Sequence, residues 1–250
     1  MNNDKVILVT GSSRGIGEGI ITHFSKIGFN VVINYSKFDK EAKELYNKLI
    51  NLSSKDKVLL EKTNVSNREE VKRMFDNIID KFGKIDILIN NAGINIDKPF
   101  FDMNDNDWEK VISTNLTGTF ICSQEFYFHF KGEEGHIINI SAHTGITGRK
   151  NGANYCSSKA GINTLTKCLA LELAPKIKVN TVMPAFIDTK EVLIRYNLGI
   201  KENYENMIDS IPLKRLGNND DIIKVINFII NESSFITGQS FYVNGGLYMS

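Results

Sequence analysis

Two short segments hold residues of the types and spacing that chemistry requires. Residues 10–17 read TGSSRGIG, directly after an apolar β-type run and at the start of a helical pattern. Glycines in such a turn let backbone amides and a helix N-terminus approach a pyrophosphate. Residues 155–159 read YCSSK, which sets the phenol of Tyr155 four residues from the ammonium of Lys159. At that spacing the two side chains lie one helical turn apart on the same face.

Each segment also has a purely structural interpretation. A glycine-rich turn spaced GxxxGxG occurs as an ordinary tight turn, and it departs from the GxGxxG spacing of the general dinucleotide fingerprint. Tyr and Lys at positions i and i+4 of a helix form a common surface pair. Occurring together, the two segments indicate a nicotinamide-dependent oxidoreductase.

The rest of the chain predicts the elements that would position these residues. Apolar, β-branched runs alternate with helical patterns, which is typical of a parallel sheet covered by helices on both faces. Strands are predicted at residues 5–10, 30–35, 57–63, 85–90, 136–141, 177–183 and 239–243. Helices are predicted at residues 15–27, 39–51, 67–81, 105–130, 154–174 and 219–231. The sequence therefore predicts an α/β fold: a single Rossmann-type domain over residues 1–250, with a doubly wound parallel sheet of about seven strands.

One segment, residues 184–216, interrupts this alternation. It is longer than a usual strand-to-helix connection and holds Tyr196, Tyr204 and Met207 among polar residues. Because it follows the carboxyl end of a strand, where ligands bind in such sheets, we expect a substrate loop or lid. A surface excursion with its own short helices is the alternative.

Composition excludes several classes of function. Thirty basic and 29 acidic residues give a net charge of +1, so no global charge favours nucleic acid or an anionic membrane. No window approaches 18 consecutive apolar residues. The cysteines, Cys122, Cys156 and Cys168, are odd in number and lack CxxC spacing, which argues against disulfides and a metal site. We expect a cytoplasmic protein that acts on a small molecule.

Further motifs occur in a consistent order along the chain. NNAG at residues 90–93 follows the fourth predicted strand, NLTG at 115–118 lies in the next helix, and VNGG at 243–246 ends the chain's last strand. With the glycine turn and the Tyr–Lys pair, they make the chain resemble the short-chain dehydrogenase/reductase family. Within that family the motifs at 115–118 and 243–249 look most like those of bacterial 3-oxoacyl-carrier-protein reductases.

The resemblance implies roles for particular residues. It implies that Tyr155 is the proton donor to a substrate carbonyl, that Lys159 assists it, and that Asn115 interrupts a helix to hold a proton-relaying water. The implied cofactor contacts are Gly11, Ser13, Arg14, Gly15, Ile16, Gly17, Asn34, Tyr35, Ser36, Asn64, Val65, Asn91, Ala92, Gly93, Tyr155, Lys159, Ile187 and Thr189. An adjacent ammonium and an oxidised nicotinamide should both favour the phenolate, so we expect the pKa of Tyr155 to be lowered.

Charge at the end of the second strand predicts which cofactor binds. Family members that select NAD usually have an acidic residue there, whereas this chain reads NYSK at residues 34–37. Arg14 and Lys37 are two cations that could face a 2′-phosphate, and a guanidinium fits a phosphate with two hydrogen bonds. We therefore predict NADP(H). The alternative is that both cations are simply solvated.

The chain departs from the family pattern at two positions. The family's active-site serine lies 13 residues before the tyrosine, and counting back from Tyr155 gives Ala142. Ser141 should point to the opposite face of its strand, while His143 or Thr144 could supply a donor. The alternatives are a weakened enzyme or cofactor-binding protein, and a serine replaced to trap a complex. Ala185 stands where the family usually has glycine.

The resemblance also bears on substrate and assembly. It favours reduction of a 3-oxoacyl thioester, free or on a carrier protein, with the substrate held near Ala142 and Tyr155. The alternatives are a reductase or dehydrogenase of a sugar, polyketide or other small carbonyl, and a regulatory protein that only binds cofactor. Family members are commonly tetramers, and we expect a homotetramer built through residues 105–130, 154–174 and the last strand. The helix 105–130 is aromatic-rich, with Phe120, Phe126, Tyr127, Phe128 and Phe130.

Overall fold

Seven parallel strands form one sheet in the computed structural model, which describes residues 4–249. In chain order the strands are β1 (Val6–Val9), β2 (Asn30–Tyr35), β3 (Val58–Lys62), β4 (Ile87–Asn90), β5 (Gly135–Ile140), β6 (Ile177–Pro184) and β7 (Ser240–Val243). Their order in the sheet is β3-β2-β1-β4-β5-β6-β7. The predicted doubly wound α/β fold and its seven strands are confirmed.

Helices connect the strands and cover both faces of the sheet. They are α1 (Gly15–Lys26), α2 (Asp39–Leu52), α3 (Arg68–Phe82), α4 (Asp105–Ile112), α5 (Gly118–His129), α6 (Thr144–Thr147), α7 (Ala153–Leu173), α8 (Lys190–Arg195), α9 (Lys201–Ser210) and α10 (Asn219–Asn231). Short 3₁₀ turns lie at Lys55–Lys57 and Phe100–Asp102. The sequence did not predict these turns, nor the short helix α6.

The apolar pattern of the strands explains why both faces are covered. In β1 the side chains of Ile7 and Val9 enter one apolar layer, and those of Val6 and Leu8 enter the other. All four are fully buried, as the continuous apolar run predicts for a parallel strand between two helical layers. Burial of these layers is the main stabilising contribution to the fold.

The direction of winding reverses between β1 and β4. From β1 the chain builds β2 and β3 on one side, and it then crosses to β4 on the other side of β1. The carboxyl ends of β1 and β4 therefore lie next to each other with their connections diverging. That geometry opens a crevice above the sheet, where ligands of doubly wound proteins bind.

The helix predicted at 105–130 is in fact three pieces. A five-residue π-helical turn, Ser113–Thr117, separates α4 from α5. Within it the side chain of Asn115 accepts a hydrogen bond from the backbone N–H of Ile94 (2.8 Å) and donates to the carbonyl of Ile94 (3.0 Å). The periodicity of apolar residues could not reveal this break, because a single widened turn barely changes the apolar stripe.

Residues 184–216 contain two short helices, α8 and α9, with Asn197 in the turn between them and Lys214 in a turn after α9; both residues have positive φ. Phe186 packs edge-on against Tyr196, with 5.1 Å between ring centroids. The segment thus has its own local structure and lies over the carboxyl end of β6. Ala185 is not among the residues with positive φ, so the backbone there accommodates a Cβ.

A buried polar network crosses the sheet beneath this edge. Asn90 donates to Asn139 (2.9 Å), Asn139 donates to Thr166 (2.8 Å), and Thr181 donates to Thr166 (2.7 Å). These four side chains join β4, β5, α7 and β6. These buried hydrogen bonds hold the four elements in one arrangement, although Oδ1 of Asn90 itself has no protein partner.

Candidate active site

The glycine turn between β1 and α1 is packed so closely that side chains are excluded. Gly11 has φ +62°, and a Cβ there would lie 2.8 Å from Cα of Ala92. A Cβ on Gly17 would lie 2.6 Å from Nδ2 of Asn91. Both distances are shorter than carbon contacts allow, so the turn needs glycine at these two positions.

Thr10 fastens this turn to the residues after β4. Its hydroxyl accepts hydrogen bonds from the backbone N–H groups of Asn91 and Ala92, both at 3.0 Å. The Asn91 side chain donates in return to the carbonyls of Thr10 (2.9 Å) and Gly11 (3.0 Å). Our sequence interpretation missed Thr10, and its only signal was a hydroxyl residue at the end of a buried strand.

Asn34 has a structural role that was not expected. Its side chain accepts from the N–H of Gly11 (3.0 Å) and donates to the carbonyl of Thr63 (3.1 Å), and the residue is buried. Its amide is therefore already used within the protein and supports the glycine turn. Asn34 also lines the cleft, so its contact with a cofactor stays a prediction.

Two cations lie in the cleft beside the starts of α1 and α2. Arg14, the residue before α1, stacks its guanidinium on the ring of Phe38, with 3.9 Å between the guanidinium carbon and the ring centroid. Lys37 is exposed beside them. A carboxylate, Asp39, follows closely, but it is paired with Lys62 at 2.8 Å.

Other predicted contacts line the same cleft. Asn64 accepts from both the N–H and the hydroxyl of Ser66, at 3.2 and 2.9 Å. The Thr189 hydroxyl accepts from the N–H of Val192 and so caps α8, while Ile187 is buried. The hydroxyl of Tyr35 is directed at Asp39, 3.4 Å away.

Tyr155 and Lys159 lie on the first turns of α7, at the other end of the crevice. The Lys159 ammonium nitrogen is 5.5 Å from the centre of the Tyr155 ring and donates to the carbonyl of Ile140 at 2.8 Å. A Cβ built on Gly93 would lie 3.8 Å from the same nitrogen. The Tyr–Lys pair is therefore inside the site and is not a surface pair.

Burial controls the acidity of both groups. Burial raises the pKa of Tyr155 to about 12, although the cations of Arg195 and Arg149 act in the opposite direction. Burial lowers the pKa of Lys159 to about 8. The expected lowering of the pKa of Tyr155 is thus wrong for the free protein, because loss of hydration outweighs the effect of neighbouring charge.

Asn115 joins the Tyr–Lys helix to the loop after β4. In addition to Ile94, its side chain contacts the hydroxyl of Ser158 at 3.0 Å, and it is completely buried. The helix interruption that the family resemblance implies at Asn115 is present. Its amide is fully engaged by protein groups, so Asn115 fixes the relative position of α7 and the loop.

Ala142 and its neighbours form the wall opposite Tyr155. Ser141 lines the cleft, but its hydroxyl proton is already donated to the carbonyl of Lys159 at 3.1 Å, which leaves no proton to replace that of the family's serine. Within residues 4–249, Oγ1 of Thr144 and Nδ1 of His143 are buried without a protein partner. Burial also lowers the pKa of His143, which favours its neutral form.

Two arginines that carried no prediction of catalysis lie close to Tyr155. The guanidinium of Arg149 is 5.3 Å from the centre of the Tyr155 ring and binds Asp97 through two hydrogen bonds. Arg195, on α8, forms an ion pair with Glu191. The Arg149–Asp97 pair joins separate segments and no sequence motif indicated it, whereas Glu191 and Arg195 lie four residues apart on α8.

One cleft of about 1500 Å³ connects the glycine turn to Tyr155. All the predicted site residues line it except Gly17, which packs against Asn91, and Asn115, which lies behind Ile94. A cradle without side chains at one end and a Tyr–Lys pair at the other suits a nicotinamide dinucleotide. Among residues 4–249, no group of three His, Cys, Asp or Glu side chains could hold a metal ion.

This fold and this site define a Rossmann-type oxidoreductase. The family model described as short chain dehydrogenase matches residues 5–193. The chain belongs to the short-chain dehydrogenase/reductase family, as its motifs indicated.

Relatives of known name match along the whole chain. It is 39% identical to "3-oxoacyl-[acyl-carrier-protein] reductase FabG" of Staphylococcus aureus, with all of both chains covered. It is 37% identical to "3-oxoacyl-[acyl-carrier-protein] reductase" of Synechocystis, covering 98% of this chain and 97% of the relative. The predicted likeness to 3-oxoacyl-carrier-protein reductases is confirmed.

A solved structure has the same fold. The Brucella melitensis protein named "Short-chain dehydrogenase/reductase SDR:Glucose/ribitol dehydrogenase" superimposes with a TM-score of 0.89 and 31% sequence identity. The match covers 98% of this chain and 97% of that chain.

Proposed function

We propose that this protein is an NADPH-dependent reductase that converts the ketone of a 3-oxoacyl thioester to a hydroxyl. The observation that carries the proposal is the position of Tyr155 and Lys159 at one end of a cleft whose other end is the glycine turn. The names of the Staphylococcus and Synechocystis relatives support the same reaction.

The protein's own residues would supply the proton and orient the substrate. When bound, the reduced nicotinamide supplies the hydride. The high pKa of Tyr155 keeps its phenol protonated at neutral pH, which suits a group that donates a proton to the carbonyl oxygen. The ammonium of Lys159 donates one hydrogen to the carbonyl of Ile140, and its other two remain for a ribose hydroxyl or for the phenol oxygen.

A second donor to the carbonyl oxygen must come from a residue other than Ala142. His143 and Thr144 both line the cleft and both hold a buried polar atom without a protein partner. Such a donor stabilises the negative charge that develops on the oxygen. We propose that one of these two residues replaces the missing serine hydroxyl.

The proposed cofactor is NADP(H). Arg14 and Lys37 supply positive charge where a 2′-phosphate would lie, and Asp39 is turned toward Lys62. An acidic side chain free to bind both ribose hydroxyls would instead favour NAD. Measuring the Michaelis constants for NADPH and NADH tests this, and a preference for NADH would contradict it.

The form in which the substrate arrives is less constrained by the structure. Of the basic residues near the cleft, Arg149 and Arg215 are held in ion pairs with Asp97 and Asp221. Lys150 and Lys190 line the cleft and are the better candidates for contact with an acidic carrier protein. The proposed substrate is therefore a 3-oxoacyl thioester, on a carrier protein or free.

A sugar or other small carbonyl compound is the second candidate substrate. The name of the Brucella melitensis protein and the alanine at position 142 favour it. A third candidate, a cofactor-binding protein with weakened catalysis, is also compatible with Ala142. Following NADPH absorbance with acetoacetyl thioesters and with a panel of ketones and sugars separates the three. Fast turnover of thioesters alone supports the proposal, whereas cofactor binding without turnover of any substrate supports the third candidate.

We also propose a homotetramer, a cytoplasmic location and a substrate lid formed by residues 184–216. Phe120, Tyr127 and Phe128 are exposed on α5, as an interface requires, although Phe126 and Phe130 belong to the apolar core instead. None of the helices in residues 4–249 has the length and apolar character needed to cross a membrane. Sedimentation tests the assembly, and a monomer at micromolar concentration would contradict it.

A further inference from the structure

We infer that Phe38 determines cofactor specificity by holding the guanidinium of Arg14 in place for the 2′-phosphate of NADP(H). Phe38 is a positioning residue in this inference, because it acts through Arg14 and not by touching the phosphate. The inference rests on the proposed preference for NADP(H). It adds a residue that none of the sequence motifs includes.

The two side chains meet across the mouth of the cleft. Arg14 is the residue before α1 and Phe38 is the residue before α2, so each is anchored by a helix start. The guanidinium carbon lies 3.9 Å from the ring centroid, well within the distance of about 6 Å at which a cation is attracted to an aromatic face. Both residues line the cleft.

Packing does not otherwise explain an aromatic residue at position 38. Phe38 is 38% exposed and belongs to neither apolar layer of the described chain. An exposed phenylalanine gains little from burial at such a position. The stack with Arg14 is the contact that accounts for an aromatic ring at this position.

The stack leaves the edge of the guanidinium available. Nearby acidic side chains are used elsewhere, since Glu18 pairs with Lys48 and Asp39 pairs with Lys62. Within residues 4–249 Arg14 forms no salt bridge. A guanidinium held by its face presents its N–H groups in the plane that a phosphate accepts.

Glu44, which also lines this part of the cleft, lies 3.9 Å from Lys40, whereas Glu41 is an adverse charge with no such pair among residues 4–249. Glu41 lies on the first turn of α2, is exposed and lines the same wall. A mobile Arg14 could form an ion pair with the Glu41 carboxylate, and its guanidinium would then not be available to the 2′-phosphate. Stacking on Phe38 reduces that freedom, and this preorganisation is what we expect to increase affinity for a 2′-phosphate.

The test measures binding by calorimetry, with NADP⁺, NAD⁺ and adenosine 2′,5′-bisphosphate as separate probes. Replacing Phe38 by Leu removes the aromatic face and keeps an apolar side chain. We expect binding of NADP⁺ and of the bisphosphate to weaken about 2- to 5-fold, the range of an exposed cation–π contact, and binding of NAD⁺ to change less than about 2-fold. Phe38→Tyr should restore the wild-type ratio.

Two further variants separate positioning from other effects. Phe228→Leu on α10 is a matched control, because Phe228 is 40% exposed and lies outside the cleft; we expect no change in the ratio. In an Arg14→Met background, Phe38→Leu should have no additional effect, since the ring acts through the guanidinium. An additional loss there would mean that Phe38 contacts the cofactor directly and would overturn the inference.

The outcomes also separate this inference from the cofactor proposal. A wild-type protein that prefers NADP⁺, together with a ratio unchanged by Phe38→Leu, would overturn the inference alone. A wild-type protein that binds NAD⁺ at least as tightly as NADP⁺ would overturn the cofactor proposal and the inference with it.

Discussion

At the scale of single residues, the site is a set of buried groups whose protonation is governed by loss of hydration. Burial keeps the phenol of Tyr155 protonated, and it also lowers the pKa of Lys159 toward neutral pH. The free protein is thus prepared for proton donation, the direction that reduction requires. Oxidation would need the phenolate, which burial disfavours.

Tyr155→Phe removes only the hydroxyl of the proposed proton donor. We expect turnover to fall by at least about 10²-fold, the lower range for loss of general acid catalysis, while the dissociation constant for NADP⁺ stays within about 2-fold. Steady-state kinetics and calorimetry check the two parts. The neighbouring Cys156→Ser serves as a control, and activity retained in Tyr155→Phe would refute the assignment.

Ala142→Ser tests whether a hydroxyl is missing from the site. If no other group acts, restoring a donor should raise turnover by about 10-fold or more, since one donor to an oxyanion typically contributes about 10²- to 10³-fold. We expect a smaller gain, because His143 or Thr144 already donates. The variants Thr144→Val and His143→Ala identify which residue donates. Substituting the donor should lower kcat and leave the KM for NADPH unchanged. Full activity in both variants would contradict the proposal.

Lys159 predicts a pH dependence of the reaction. Burial lowers the pKa of its ammonium to about 8, so the charged form is lost as pH rises through about 8. We expect kcat/KM to fall across that range, because kcat/KM reports groups of the free enzyme. Lys159→Arg keeps its charge and should show no such fall, whatever its absolute rate. A profile for the wild type that stays flat to pH 10 would contradict this.

At the scale of elements, the site depends on ties between segments that are distant in sequence. Thr10 joins β1 to the loop after β4, Asn34 joins β2 to the glycine turn, and Asn115 joins the π-helical turn to that same loop. Each tie uses side-chain groups that would otherwise be buried without partners. These contacts set the distance between the two ends of the cleft.

Thr10→Val replaces the hydroxyl of this tie by a methyl group of similar size. Two backbone N–H groups, those of Asn91 and Ala92, then lose their acceptor. We expect the free energy of unfolding to fall by about 2 to 4 kcal/mol, since each unsatisfied buried donor costs about 1 to 3 kcal/mol. Urea unfolding measures this. Thr10→Ser retains the hydroxyl and should lose much less; equal losses in both variants would point to the methyl group instead.

The sequence predicted the elements well and their irregularities poorly. Strand β1 is a continuous apolar run, so its burial in a parallel sheet follows from composition alone, whereas β5 also buries His136 and Asn139. The Tyr–Lys pair was found because both members lie on one helix. Asn34, the Arg14–Phe38 stack and the Arg149–Asp97 pair depend on contacts between separate segments, which neither periodicity nor local motifs encode.

At the scale of the whole molecule, one buried histidine should link stability to pH. His136 lies in β5, and burial lowers its pKa to about 4 from the ordinary 6.5, although Glu134 acts in the opposite direction. The unfolded chain therefore takes up this proton first as pH falls. The stabilisation is complete above about pH 6.5 and is lost between 6.5 and about 4.

We expect the free energy of unfolding to fall by about 3 kcal/mol over that window from this residue. Denaturant unfolding at several pH values measures the fall. His136→Leu, which cannot take up a proton, should show a correspondingly smaller pH dependence. An identical pH dependence in this variant and the wild type would contradict the assignment to His136.

The tie between Thr10 and the residues after β4 has a consequence for how the protein is made. A ribosome synthesises β1, the glycine turn and α1 well before Asn91 and Ala92 exist, and Tyr155 comes later still. Until those residues have left the exit tunnel, the nascent chain lacks the partners that close the turn. We therefore expect a bound nucleotide to assist folding during translation only after Asn91 and Ala92 have left the exit tunnel.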